Sequence, residues 1–127
     1  MIYPPARVVL ASTSPQRLAL LGQILPDTEI VVIPAGVDEE QFFELGPRAR
    51  CSRLAYSKAN TVVQTLGSER EVACVIGADT EVIYRGSEMG KPANEQEARA
   101  MLEGLRGQSL EVVTGVAIFR VQTANWV

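Results

Sequence analysis

Histidine is absent from the chain. That removes Ser-His-Asp and Cys-His triads, histidine-based zinc sites and imidazole acid–base catalysis. Chemistry must then come from carboxylates, lysine, arginine, hydroxyls and a hard metal ion. The densest group of such residues lies in VVLASTSPQRLALL, 8–21. Ser14 is placed to cap a helix, with Pro15 at the first helical position, where its missing N–H costs nothing. A helix N-terminus leaves N–H groups and a partial positive charge facing outward, which suits phosphate. Ser12 and Ser14 add hydroxyls, and Arg17 adds a forked cation one turn in. The plainer reading is a Ser-Pro cap beside a surface arginine.

Other stretches add to this inventory. In IGADT, Asp79 follows a strongly apolar run and is expected at the carboxyl end of a strand, where open α/β sheets place ligands. Gly77 permits close backbone approach. A carboxylate there can hold Mg²⁺ or orient a water, or it can be an ordinary turn aspartate. Lys58 falls near the apolar stripe of its helix, so its amine must snorkel or find an anion. Lys91, in GKP, is a compact charge suited to phosphate. The acids of VDEE, 37–40, could join a magnesium site or simply be solvated. Scattered cations paired with scattered acids fit a metal–phosphate ligand better than any single motif does.

These residues need a scaffold. RVVLA, 7–11, reads as a buried strand, and Leu18, Leu21, Ile24 and Leu25 recur at helical spacing until Pro26-Asp27. EIVVI, 29–33, is a second strand, followed by a polar loop through VDEE. From 47 to 66 the pattern is helical, with a stop at Gly67-Ser68. VACVIGAD is a buried strand, TEVIY continues extended, and RGSE marks a hairpin turn. A helix capped near Asn94 follows, then a last strand through SLEVVTGVAIFRV with a bend expected at Gly115. Strands alternating with helices predict an α/β sheet domain.

The bulk properties narrow the function. At 127 residues the chain suits one domain with a core of its own. Net charge is −3, with no basic block, which argues against a nucleic-acid partner. No apolar run is long enough to span a bilayer, and the N-terminal MIYPPARVV lacks a signal core, so a cytoplasmic location is expected. Cys51 and Cys74 sit in apolar contexts and are expected to be buried thiols.

Taken in order, LASTSPQRLALL, VDEE, LAYSKA, IGADT, GKP and MLEGLRGQSLEVVTGVAI resemble the Maf family of nucleoside triphosphate pyrophosphatases over residues 7 to about 119. The resemblance implies an α/β fold with a mixed twisted sheet and flanking helices, of Maf/ITPase-like (anticodon-like) architecture. It implies a single domain over 1–127, C-terminally truncated, because the family continues with a glycine-rich stretch and a second lobe. The implied activity is hydrolysis between the α and β phosphates of non-canonical or pyrimidine nucleoside triphosphates, giving a monophosphate and pyrophosphate. A divalent cation, Mg²⁺ or Mn²⁺, is the implied cofactor. By the same resemblance Asp79 is the catalytic acid/base or metal carboxylate, and Glu39 is a second metal or water carboxylate. Ser12, Arg17, Lys58 and Lys91 contact phosphates.

The resemblance also makes Gln16 and Thr80 the specificity positions, and they disagree. The pyrimidine-triphosphate branch has an arginine where this chain has Gln16. Thr80 keeps that branch's GADT form, whereas the methylated-GTP branch has SDQ, and the reading leans to the pyrimidine branch on Thr80. The competing reading is a truncated module that binds nucleotide without turnover or depends on a partner. A sheet cut short leaves an edge or apolar face that favours a homodimer or pairing with a missing C-terminal half.

Overall fold

The computed structural model describes residues 7–66 and 72–121. In chain order the elements are β1 (Arg7–Leu10), α1 (Pro15–Ile24), β2 (Glu29–Val32), a 3₁₀ turn (Glu39–Phe42), α2 (Pro47–Leu66), β3 (Val72–Tyr84), β4 (Ser87–Met89), α3 (Glu95–Leu105) and β5 (Glu111–Arg120). The result is a mixed α/β sheet with flanking helices, as expected. The stop anticipated at Gly67-Ser68 lies outside the described residues.

Local chemistry sets most boundaries. The Ser14 hydroxyl accepts from the Arg17 N–H at 3.3 Å, and Asn94 Oδ1 accepts from the Glu97 N–H at 2.8 Å, so both anticipated caps form. Asp38 does the same for VDEE: its carboxylate accepts from the Glu40 N–H at 3.1 Å and winds the expected loop into the 3₁₀ turn. Arg85 and Gly86 take φ of 52° and 79°, the paired left-handed conformation of a tight two-residue hairpin. The hairpin joins β3 to β4.

β1 lies between β2 and β3, parallel to both. β5 runs antiparallel along the far side of β3, from Cys74↔Arg120 to Ile83↔Glu111. β1 and β4 share the near side of β3. β1 leaves it at Leu10↔Ile76, with one more bond from the Ala11 N–H to the Ile76 carbonyl, and β4 joins it at Val82↔Met89. Among the described residues, 77–81 therefore have no strand beside them on that side.

α2 covers one face of the sheet. α2 buries Cys51, Leu54, Ala55, Ala59 and Val62, a helical stripe, against β3 and β5. Val9, Ala11, Val72 and Val75 meet Ala59 and Val62 in the core. Gly77 and Gly115 make this contact possible. A Cβ on Gly77 would collide with the Ala55 carbonyl oxygen, and one on Gly115 would stand 2.5 Å from the Cys51 carbonyl oxygen. Gly77 was expected to permit close backbone approach, and α2 is what approaches it. Gly115 was expected to bend the strand, but it too admits α2, and β5 runs from Glu111 to Arg120 without interruption.

The opposite face carries Ile76 and Ala78 of β3 beside Ile118 and Val116 of β5, and Ile118 is 65% exposed. α1 has no fully buried residue of its own, although Val8 and Leu10 of β1, which alternate with Val9 and so face away from α2, are buried. Cys51 is fully buried, but Cys74, on the face opposite α2, is only half-buried. Among the described residues no helix is long and apolar enough to cross a membrane.

Candidate active site

The stretch of β3 between its two short partners opens a cavity of about 730 Å³. The elbow after β1 forms one wall and the segment from Glu88 to Lys91 another, with Glu39 and Lys58 closing the α2 side. Its size suits a small-molecule ligand. Asp79 and Thr80 lie at this gap. Asp79 was expected at the end of its strand, but β3 continues to Tyr84 because β5 pairs with it throughout. What ends near Asp79 is the parallel partner β1, so the crevice belongs to β1's carboxyl end.

Lys58 reaches the gap because Gly77 draws α2 onto β3. Its Nζ donates to Asp79 Oδ1 at 3.0 Å and lies 3.9 Å from Glu39 Oε1. The anion that a lysine near an apolar stripe requires is thus Asp79, with Glu39 at the exposed rim. Glu81 shares Asp79's face, two residues along the strand. It is 7% exposed. Burial, then the charge of Asp79, raises its carboxyl pKa, while Arg50 pulls the other way. Sequence reasoning passed over Glu81, although the extended run expected through TEVIY already puts Asp79 and Glu81 on one face.

The elbow folds as anticipated, and its cation has a defined place. Ser12 Oγ accepts from the Ser14 N–H at 3.0 Å and from Arg17 Nη1 at 3.4 Å. Arg17 Nη2 donates to Thr80 Oγ1 at 3.0 Å, and Thr80 shares a 3.0 Å hydroxyl contact with Thr114. Gln16, exposed at the cavity wall, accepts from the Ser14 hydroxyl at 3.2 Å. Lys91 is exposed on the opposite wall. Among the described residues neither Arg17 nor Lys91 has a carboxylate within ion-pair distance. All the anticipated site residues thus line one cavity.

Its chemistry is two-sided. Arg17, Lys91 and the Ser12 hydroxyl can receive oxyanions. Carboxylate oxygens of Asp79 and Glu81, with the Cys51 sulfur, lie within 4.8 Å of one another. Burial and the two neighbouring acids push the Cys51 thiol pKa up, which keeps it protonated and a poor ligand. The oxygen donors that remain, Asp79 and Glu81 with Glu39 at the rim, fit a hard divalent cation. Such a cation would compete with the Lys58 ammonium for Asp79.

A family model described as Maf-like protein matches residues 7–127. The chain is 39% identical over 112 residues to a dTTP/UTP pyrophosphatase of Caldicellulosiruptor saccharolyticus, covering 88% of this chain and 55% of that protein. It is 40% identical over 111 residues to a dTTP/UTP pyrophosphatase of Pyrococcus horikoshii, covering 87% and 55%. The chain thus spans about half the length of the curated relatives it matches. Among solved structures, a HAM1 protein from Coxiella burnetii aligns with a TM-score of 0.47 at 18% identity, over 91% of this chain and 73% of that one.

Proposed function

The chain belongs to the Maf family, and from that premise we propose that its cavity binds a nucleoside triphosphate of the pyrimidine class and directs water at the bond between the α and β phosphates. Products are the nucleoside monophosphate and pyrophosphate. The observation that carries the reading is the pairing, in one cavity, of a buried acid pair with two cations, Arg17 and Lys91, that have no carboxylate partner among the described residues. The named activity of the relatives supports the choice of substrate.

In this reading Arg17 and Lys91 neutralise phosphate oxygens from opposite walls, and Ser12 donates a hydroxyl hydrogen bond. Thr80 keeps the Arg17 fork turned toward the cavity. Asp79 orients the attacking water and accepts its proton. Lys58 stands between Asp79 and the phosphates, where its ammonium can turn from the carboxylate to the developing charge. Asp79, Glu81 and Glu39 are the residues that would hold Mg²⁺ or Mn²⁺, which when bound supplies charge neutralisation and a more acidic water. Positioning and electrostatics account for most of the rate.

The test is a panel of nucleoside triphosphates with Mg²⁺ or Mn²⁺, with binding, pyrophosphate and orthophosphate measured together. Pyrophosphate release from pyrimidine substrates is expected, and Asp79→Asn should nearly abolish it while the chain stays folded. Orthophosphate as the product would place cleavage at another bond. Binding without release would make the chain a nucleotide-binding module and overturn the hydrolytic reading.

A further inference from the structure

Arg50 lies in the first turn of α2 and is only 8% exposed. Its Nε donates to the Phe42 carbonyl at 3.1 Å, and its Nη2 donates to the carbonyls of Phe43 at 3.0 Å and Leu45 at 2.9 Å. On the other edge, Nη1 contacts the Glu88 carboxylate of β4 and stands 3.9 Å from Glu81 of β3. The guanidinium carbon lies 5.5 Å from the centre of the Phe43 ring. One side chain thus ties together the 42–45 segment, the site strand β3 and the strand at the far end of the gap.

The 42–45 segment completes the 3₁₀ turn that begins at Glu39. That turn buries none of its residues. Among the described residues its other hydrogen bonds are local, from the N–H groups of Glu40 and Gln41 to Asp38, of Phe43 to Glu40 and of Leu45 to Phe42, and Glu39 adds only a 3.9 Å ion pair with Lys58. A short turn with no buried side chain and only local bonds has little to fix it against the sheet. We propose that Arg50 is a positioning residue that clamps this turn to β3 and β4 and so sets Glu39 opposite Lys58 and Asp79 at the cavity. The clamp needs a planar fork, because five N–H groups must reach carbonyls on one edge and carboxylates on the other. An ammonium keeps the charge but cannot span both edges. The consequence for ligand binding rests on the proposed function; the clamp itself does not.

Amide hydrogen exchange and Mn²⁺ titration followed by electron paramagnetic resonance test the two parts separately. They are run on the full chain as wild type, Arg50→Lys, Glu39→Gln and the double variant. In Arg50→Lys, exchange at 39–45 should rise about tenfold or more, the loss of a charged hydrogen bond, while β3 keeps its protection. Mn²⁺ affinity should fall as far as it does in Glu39→Gln, and the double variant should fall no further. If an ammonium among these acids prevents folding, Arg50→Gln replaces it, retaining N–H donors without the charge. Wild-type exchange at 39–45 would overturn the clamp. So would a uniform rise across α2 and β3, the signature of a residue that only stabilises the fold. Additive losses of Mn²⁺ affinity would overturn the link to Glu39. If the wild-type chain takes up no Mn²⁺, the metal part of the proposed function fails, and exchange at 39–45 decides the clamp by itself.

Discussion

Removing the Lys58 ammonium should destabilise the chain and, at the same time, make it a better ligand for a divalent cation. Lys58 Nζ lies 3.0 Å from Asp79 Oδ1, and the two side chains are 16% and 12% exposed. Methionine at position 58 keeps the apolar stem against α2's neighbours and deletes the charge. Asp79 is then left buried without its ammonium partner, with Glu81 beside it. Breaking a buried pair by deleting one partner costs about 3–5 kcal/mol, and residual contact with water puts this one near the lower end. A loss of about 3 kcal/mol lowers the melting temperature of a domain this size by roughly 10 °C. Mn²⁺ should reverse most of it. At about a hundred times its dissociation constant, a ligand specific for the folded state adds about 2.7 kcal/mol. In the wild type the ammonium competes for Asp79, so the same Mn²⁺ should raise the melting temperature less. We therefore predict that Lys58→Met melts well below wild type in EDTA and gains more from Mn²⁺. Thermal melts of both proteins across a Mn²⁺ series measure this directly. An unchanged melting temperature in EDTA, or equal Mn²⁺ shifts in the two proteins, would refute the claim that Lys58 occupies the cation's place at Asp79.

Other expectations follow from the same geometry. Arg17→Ala and Lys91→Ala should each weaken triphosphate binding by about 1.5–3 kcal/mol, and wild-type binding should fall as salt rises; calorimetric titrations matching wild type for both variants would remove the cradle. Gln16→Arg puts a second fork beside Arg17 and should tighten pyrimidine triphosphate binding roughly tenfold if about 1.4 kcal/mol is recovered, an effect that a competition assay would miss only if position 16 does not face the ligand. Gly115→Ala pushes a Cβ to 2.5 Å from the Cys51 carbonyl oxygen and should cost about 1–3 kcal/mol in urea unfolding, whereas a loss near zero would mean that α2 can shift freely. Burial raises both thiol pKa values, but only Cys51 is fully enclosed. A neutral-pH thiol reagent should therefore label Cys74 first and Cys51 only on unfolding; the reverse order would contradict the packing of α2 on β5.

What could be read along the chain was what short-range chemistry determines. Ser14-Pro15, Asn94 and the Arg85-Gly86 hairpin each act within a few residues, and each formed where its residue types required. The long stripe of α2 was equally legible, because it repeats over 20 residues. The residues that line the cavity were recognisable one by one, but what brings them together was not. The cavity exists because β1, of 4 residues, and β4, of 3, flank a β3 of 13, and the shortfall leaves a gap. No single stretch records that shortfall, since it depends on how far strands from separate parts of the chain run beside one another. The same holds for Gly77 and Gly115, whose missing side chains matter only once a helix lies across them. Arg50 is the extreme case. In PRARCSR it reads as one of several solvated cations, and only the carbonyls of a neighbouring turn and the acids of two distant strands bring it inside. Residue type thus pointed to the proposed chemistry of phosphate and metal, while the placement of those residues depends on unequal strand lengths, two absent side chains and one buried fork.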